Sequence, residues 1–138
     1  MEINVVGLAA AFATFFGVWI GHVSVRKIER ESANLWVPTL LFLSVAALLA
    51  FVSFFTPNLS LSVVSGILAM TLGYDAYELF HQQKRVRKGR APANPNNPRH
   101  ARILAEYPLA TTMDWLHRDP RGAAYSSAEL ASLKEGAK

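Results

Sequence analysis

Three long stretches of apolar residues, separated by short polar segments, occupy most of the first eighty positions. Residues 3–25, 35–55 and 59–74 contain no Asp, Glu, Lys or Arg. A hydrocarbon core of about 30 Å requires about 20 helical residues, which the third stretch provides if its helix continues to about Phe80. No stretch alternates with the period of two that spanning strands show. The pattern predicts an all-α fold: a three-helix transmembrane bundle with spans over about 3–25, 35–55 and 59–80 and a mostly irregular cytoplasmic tail.

Two other interpretations of these stretches fit the sequence less well. The first stretch lacks the basic n-region and the A-x-A-like cleavage site of a secretory signal, and it is longer than a typical h-region. A soluble protein with a buried helical core would not concentrate its apolar residues in three blocks of span length. The sequence therefore favours three spanning helices.

The distribution of basic residues predicts the orientation of the spans. All 14 Lys and Arg residues lie at or after Arg26, and none lies in the turn at 56–58. Basic residues instead occupy the segment between the first two spans and the segment after the third. Because short loops rich in Lys and Arg stay in the cytoplasm, we expect the N-terminus outside and the tail inside.

The composition changes after the third span. Residues 91–98 (A-P-A-N-P-N-N-P) are rich in proline, which predicts an extended linker between a membrane domain (1–90) and a cytoplasmic tail (99–138). The tail is too short for a large core of its own, and it contains two short predicted helices, at 111–118 and 126–134. We expect it to dock on a partner or on the membrane surface through its larger apolar side chains: Tyr107, Leu109, Met113, Trp115, Leu116 and Tyr125.

Ionisable side chains gather at the predicted inner ends of the first and third spans: His22, Arg26, Lys27, Glu29, Asp75 and Glu78. Asp75 lies about 7 Å inside the predicted boundary. Charged groups at that depth usually face other helices or water. The simplest arrangement pairs one of the two carboxylates of the third span with Arg26 or Lys27 of the first, as a polar lock between the spans.

The same residues leave functional alternatives open. His22 and Asp75 could form a proton or ion relay, and His22 with His81 could ligate haem or chlorophyll. No metal-ligand spacing motif is present, and the absence of cysteine excludes thiol chemistry. No nucleophile–base constellation or phosphate loop is present either, so we expect neither catalysis nor a metal site.

A strongly basic segment follows the third span: Lys84, Arg85, Arg87, Lys88 and Arg90. It accounts for much of the net charge of +4. No nucleic-acid-binding module accompanies it. We therefore expect it to bind anionic lipid headgroups of the inner leaflet, at about 1 kcal/mol per basic residue.

The end of the third span also carries a distinctive motif. Glu78-Leu79-Phe80 is followed by Gln82 or Gln83, Lys84-Arg85-Val86, Lys88-Gly89, and then Pro92, Asn94 and Pro95. His22, Lys27, Glu29 and Trp36 occupy matching places around the first loop. Over about residues 1–98 the chain resembles a family of small three-span bacterial inner-membrane proteins defined by a domain of unknown function. The resemblance implies the topology and a bacterial inner-membrane location, and it implies no activity.

These observations predict a small accessory or structural subunit of a larger membrane complex, such as an energy-converting one. Its partners would be other membrane subunits and anionic lipid, without nucleic acid and without a cofactor of its own. The alternative is a homo-oligomeric proton or ion conductor that uses His22, Asp75 and Glu78. An enzyme acting on lipid at the inner interface is a third and less supported possibility, because three spans contain no recognisable catalytic site.

Overall fold

A computed structural model describes residues 3–114 of the chain. Within that range it contains four helices and no strand: α1 (Val5–Glu31), α2 (Trp36–Phe55), α3 (Leu59–Arg87) and α4 (Pro98–Glu106). The first three helices are long and apolar enough to cross a membrane. The predicted all-α fold with three spanning helices is therefore confirmed. The fourth helix was not predicted.

Two of the three long helices extend beyond their predicted spans. α1 has 27 residues and α3 has 29, so they are about 40 Å and 44 Å long. A hydrocarbon core measures about 30 Å. The additional turns lie where α1 ends at Glu31 and α3 ends at Arg87, which we call the basic end of the bundle.

At the opposite end a short turn joins α2 to α3. The sequence offers Asn58 and Ser60 as N-caps of the third span, since Asn and Ser are preferred there. Asn58 takes this place and accepts a hydrogen bond from the Leu61 N–H at 3.0 Å. One turn further in, Ser53 and Ser62 exchange hydrogen bonds, each hydroxyl donating to the other residue's carbonyl at 2.8 and 2.7 Å. These bonds satisfy both hydroxyls where water is scarce and join the two helices closely.

α3 is the central helix of the bundle. It packs against both α1 and α2 along their lengths, whereas α1 and α2 scarcely meet each other. Gly17 of α1 allows close approach, since a Cβ there would contact Leu68 and Thr71 of α3. The outer faces are apolar and exposed, with Phe15 at 64% and Phe54 at 83% exposure. Such faces suit contact with lipid, and the separation of α1 from α2 leaves a groove between them.

The end of α3 is fixed by Gly89. This residue has a φ of 66°, and the Arg90 and Gly89 N–H groups donate to the Arg85 and Val86 carbonyls at 2.9 and 3.0 Å. This is a Schellman motif, which requires a left-handed residue after the helix. The Leu109 carbonyl also lies directly against the Gly89 Cα, where a side chain would collide with it. Gly89 therefore ends α3 and admits the returning chain.

Residues 91–97 differ from the expected extended linker. Ala91, Ala93, Asn94 and Asn97 are buried, and the Ala93 N–H donates to the Thr111 carbonyl at 2.8 Å. The prolines exclude a helix but permit turns, so the segment folds across the end of α3. A small apolar core joins it to α4, made of Val86, Ala91, Ala93 and Ile103 with Leu104, Tyr107 and Ala110 packed around them.

The predicted tail helices are only partly covered by the described residues. Residues 111–114 are not helical, in contrast to the start of the helix expected at 111–118. The remainder of that helix and the whole of the one expected at 126–134 lie outside the described residues.

Candidate functional site

The groove between α1 and α2 is the larger of two recesses near the predicted polar cluster. Its volume is about 710 Å³, its floor is α3, and it is lined almost entirely by apolar side chains. It runs along α1 from Ala9 to Ser24, a distance of about 22 Å at 1.5 Å per residue. Phe16 forms part of one wall, Phe42 part of the other, and Leu68 part of the floor.

One carboxylate lines the groove, at the part nearest the basic end. Asp75 of α3 is only 6% exposed, and its carboxylate lies against the backbone of α1 at Gly21, in space that any side chain at residue 21 would occupy. Within residues 3–114 it has no hydrogen-bond donor and no ion-pair partner. His22 and Glu78 are the charged or titratable groups that act on it electrostatically.

The predicted pairing across the α1–α3 contact is wrong. Glu78 instead forms an ion pair with Arg85 of its own helix, at 2.7 Å, and Arg85 also donates to Gln82 at 3.0 Å. Arg26 and Lys27 are exposed and form no ion pair within the part of the chain that the structure describes. The reason is rotational: α1 buries Gly21, Val25 and Glu29, and residues 26 and 27 lie about 100° and 200° around the helix from residue 25.

Glu29, the remaining carboxylate of the predicted cluster, belongs to a different structure at the basic end. It is 1% exposed, and its Oε1 accepts from Arg99 Nη1 at 2.8 Å and lies 2.9 Å from His100 Nε2. The His100 Nδ1 accepts from the Asn94 N–H at 2.8 Å. Because Nδ1 is an acceptor, the ring carries its proton on Nε2 and donates it to Glu29. His100 is fully buried with both nitrogens satisfied.

Asn94, Asn97 and Arg99 complete this structure by donating hydrogen bonds to the backbone carbonyls at the end of α1. Asn97 Nδ2 donates to the Arg30 and Ser32 carbonyls at 2.9 and 3.0 Å. Arg99 donates to the Ser32 carbonyl at 3.2 Å and also to that of Glu29. The last carbonyls of a helix have no partner within the helix, so these side chains supply it. We call residues 88–111, with the α1 end at 29–32, the cap.

The five basic residues at the end of α3 and directly after it are divided between contacts within the protein and solvent. Arg85 is held by Glu78, and the Arg87 guanidinium lies over the Tyr107 ring, 5.0 Å from its centroid. Lys84, Lys88 and Arg90 are exposed. A shallow recess of about 330 Å³ lies between Lys84, Lys88 and Leu109. Exposed cations thus face outward at the basic end, as headgroup binding would require.

The second recess, of about 500 Å³, lies beside α1 at the basic end. His22, Arg26 and Lys27 line it together with Trp19 and part of the cap. His22 is exposed, whereas His81 is partly buried and packs its ring 4.4 Å from that of Tyr77. Within residues 3–114 no three His, Asp or Glu side chains come together in a way that could hold a metal ion.

The expected docking residues are also divided. Tyr107 packs into the cap beneath Arg87, so it is structural, whereas Leu109 and Met113 are exposed at 70% and 44%. Trp115, Leu116 and Tyr125 lie outside the described residues.

Sequence reasoning missed four side chains of the cap: Asn94, Asn97, Arg99 and His100. A local signal for α4 exists, because Asn97-Pro98 places a preferred N-cap before a proline at the first helical position. Asn97 does act as that cap, accepting from the Arg99 N–H at 2.9 Å. No local pattern, however, indicates that the helix returns to Glu29.

Comparison with known proteins assigns the family. The model of DUF4491, a domain of unknown function, matches residues 4–97. This is more than half of the chain, which therefore belongs to that family. The match includes α1, α2 and α3 and ends directly before α4. Neither a curated protein nor a solved structure matches the chain.

Proposed function

We propose that this member of the DUF4491 family is an accessory subunit of a larger membrane complex, whose groove receives a membrane helix of another subunit. We place it in the bacterial inner membrane, as the family resemblance implies, and its charge distribution supports an N-terminus outside and a basic end in the cytoplasm. The observation that carries the proposal is the open, apolar groove between α1 and α2.

The shape of the groove favours a helix as its occupant. A helix with its side chains is about 10–12 Å wide, and the groove follows α1 for about 22 Å, most of the way across a hydrocarbon core. A helix lying in it would contact α1, α2 and α3 together. Because lipid tails are as apolar as the helices, association in a membrane depends on such packing. Three apolar walls supply more of it than a single exposed face.

The rest of the fold is consistent with a scaffold. The cap fixes the basic ends of α1 and α3 with buried ion pairs and hydrogen bonds, and the Ser53–Ser62 bonds fix α2 on α3 at the other end. Both helices that form the walls of the groove are therefore held in place with little direct contact between them. A preformed groove reduces the ordering that binding would otherwise require.

Site-specific photo-crosslinking in native membranes tests this proposal. A photoreactive phenylalanine analogue at Phe16 or Phe42 should crosslink to one and the same protein, with the attachment site in one of its membrane helices. Phe15, adjacent to Phe16 but 64% exposed, and Phe54, 83% exposed, are matched controls that should give only lipid adducts. If Phe16 and Phe42 also gave only lipid adducts, the groove would not be a subunit interface.

A homo-oligomeric conductor is the second candidate, supported by the electrostatic interaction between His22 and Asp75. Glu78 does not continue a proton path from His22 and Asp75, since it forms an ion pair with Arg85. Crosslinking from Phe16 to a second copy of the chain, together with proton flux through the purified protein in liposomes, would favour the conductor over the accessory subunit.

A further inference from the structure

We infer that Asp75 is the recognition group of the groove, and that the docking helix carries a Lys or Arg side chain that pairs with it. This inference rests on the proposed function and specifies the chemistry of the partner.

Asp75 makes no hydrogen bond and no ion pair with any residue between 3 and 114. It is only 6% exposed. Its contact is with Gly21, where the absence of a side chain leaves space for the carboxylate. Removing a carboxylate from water without a partner is unfavourable, so an apolar residue would serve the α1–α3 contact better.

Three helices contribute the groups that surround Asp75. From α3, Glu78 faces the same region and is neutralised by Arg85. From α1, His22 is nearby, and Arg26 and Lys27 are directed away from the contact. From α2, the residues that line the groove are the apolar Phe42 and Leu49. Within residues 3–114 the groove therefore holds one carboxyl group without a hydrogen-bond or ion-pair partner, and the complement of a carboxylate is a cation.

Asp75 lines the groove itself and not only the α1–α3 contact. Packed helices lie about 8–10 Å apart, which the long side chain of Lys or Arg can bridge. Such side chains occur within membrane helices mainly where they face a partner. A cation placed near the basic end of the docking helix would meet Asp75 without leaving the groove.

Designed peptides can test the inference without knowledge of the natural partner. The probes are three Leu/Ala membrane-spanning peptides that differ at one position, which holds Lys, Gln or Leu at the depth of Asp75. The chain contains no cysteine, so a fluorescent donor on Ala33→Cys, in the exposed α1–α2 connection, reports binding of acceptor-labelled peptide in phosphatidylcholine liposomes.

The expected result is that the Lys peptide binds the wild-type chain about tenfold more tightly than the Leu peptide, with Gln between them. Asp75→Asn should abolish this preference, whereas the control Glu78→Gln should retain it. A Lys moved to the same distance from the other end of the peptide should give no preference. Thermal melting of each variant confirms that it is folded.

The negative results separate the two proposals. If the Lys and Leu peptides bind equally well, or if the Lys preference persists in Asp75→Asn, the inference fails while helix docking stands. If no peptide binds and Phe16 and Phe42 give no protein crosslink, the proposed function fails as well. A third outcome is energy transfer between donor- and acceptor-labelled copies of the chain, with no binding of any peptide. That outcome would assign the groove to self-association and overturn the inference.

Discussion

Glu29 and Asp75 are both buried carboxylates, at 1% and 6% exposure, but their surroundings are opposite. Glu29 lies in the cap, where Arg99 and His100 bind it at 2.8 and 2.9 Å. Asp75 lies at the groove, where no residue between 3 and 114 binds it. The difference shows that this chain can satisfy a buried carboxylate when the fold depends on it. Asp75 has no such partner within residues 3–114, which supports the inference that its partner comes from a docking helix.

The contrast extends to the two regions around these residues. The cap is closed by contacts between segments about seventy residues apart, such as Glu29 with His100, and none of its buried side-chain polar atoms lacks a hydrogen-bond partner. The groove is open, apolar and lined by a single charged residue. We therefore assign stability to the cap and recognition to the groove, and three substitutions test this assignment.

The largest effect is expected for Glu29→Ala. It would leave the fully buried His100 without the acceptor of its Nε2 proton, and Arg99, whose side chain is 13% exposed, with backbone carbonyls but no carboxylate. Breaking one member of a buried pair costs about 3–5 kcal/mol, which should appear as a clear drop in melting temperature in detergent. The control is Glu31→Ala in the same segment, because Glu31 is 61% exposed and its contacts are long, 3.9 Å from Arg30 and 3.3 Å from the Asn94 amide that donates to it. That variant should change stability by less than about 1 kcal/mol. Equal melting of both variants would contradict the role assigned to the cap.

An intermediate effect is expected for Gly21→Ala, because its methyl group would collide with the Asp75 carboxylate. Overpacking of this kind costs about 1–3 kcal/mol. The matched control is Gly73→Ala, since a Cβ at Gly73 has no neighbour within 4 Å, and it should be neutral or slightly stabilising. In an Asp75→Ala background the cost of Gly21→Ala should largely disappear, and a double-mutant cycle measures this coupling. Additive costs would show that the carboxylate does not occupy this space.

The smallest effect on the isolated chain is expected for Asp75→Asn. Asparagine keeps the size of the side chain and removes a charge that the chain does not compensate, so thermal unfolding should shift by less than about 1 kcal/mol in either direction. A loss as large as that of Glu29→Ala would mean that Asp75 is structural after all, and the contrast between the two carboxylates would no longer hold.

The sequence predicted the features that depend on local patterns. Uninterrupted apolar stretches indicated the three spanning helices, and Asn58 indicated the start of α3. The partners of the polar side chains could not be predicted in the same way. Arg26 and Lys27 have the right depth to meet Asp75, but the rotation of α1, set by packing at Gly21 and Val25, directs them elsewhere. The cap could not be predicted either. A proline-rich composition indicates that a segment is not helical, but it does not indicate which part of the protein the segment packs against.

The cap has a consequence for how the protein is made. Arg99 and His100 follow Glu29 by about seventy residues, so at synthesis rates of about 5–20 residues per second they appear on the order of 10 s later. During that interval the Arg30 and Ser32 carbonyls at the end of α1 lack the hydrogen bonds that Asn97 and Arg99 later donate to them. Those carbonyls and the Glu29 carboxylate must be hydrated until α2 and α3 have been inserted. Closure of the cap is then a late step of assembly, and a chain that terminated at Asn97, where the family match ends, would never complete it.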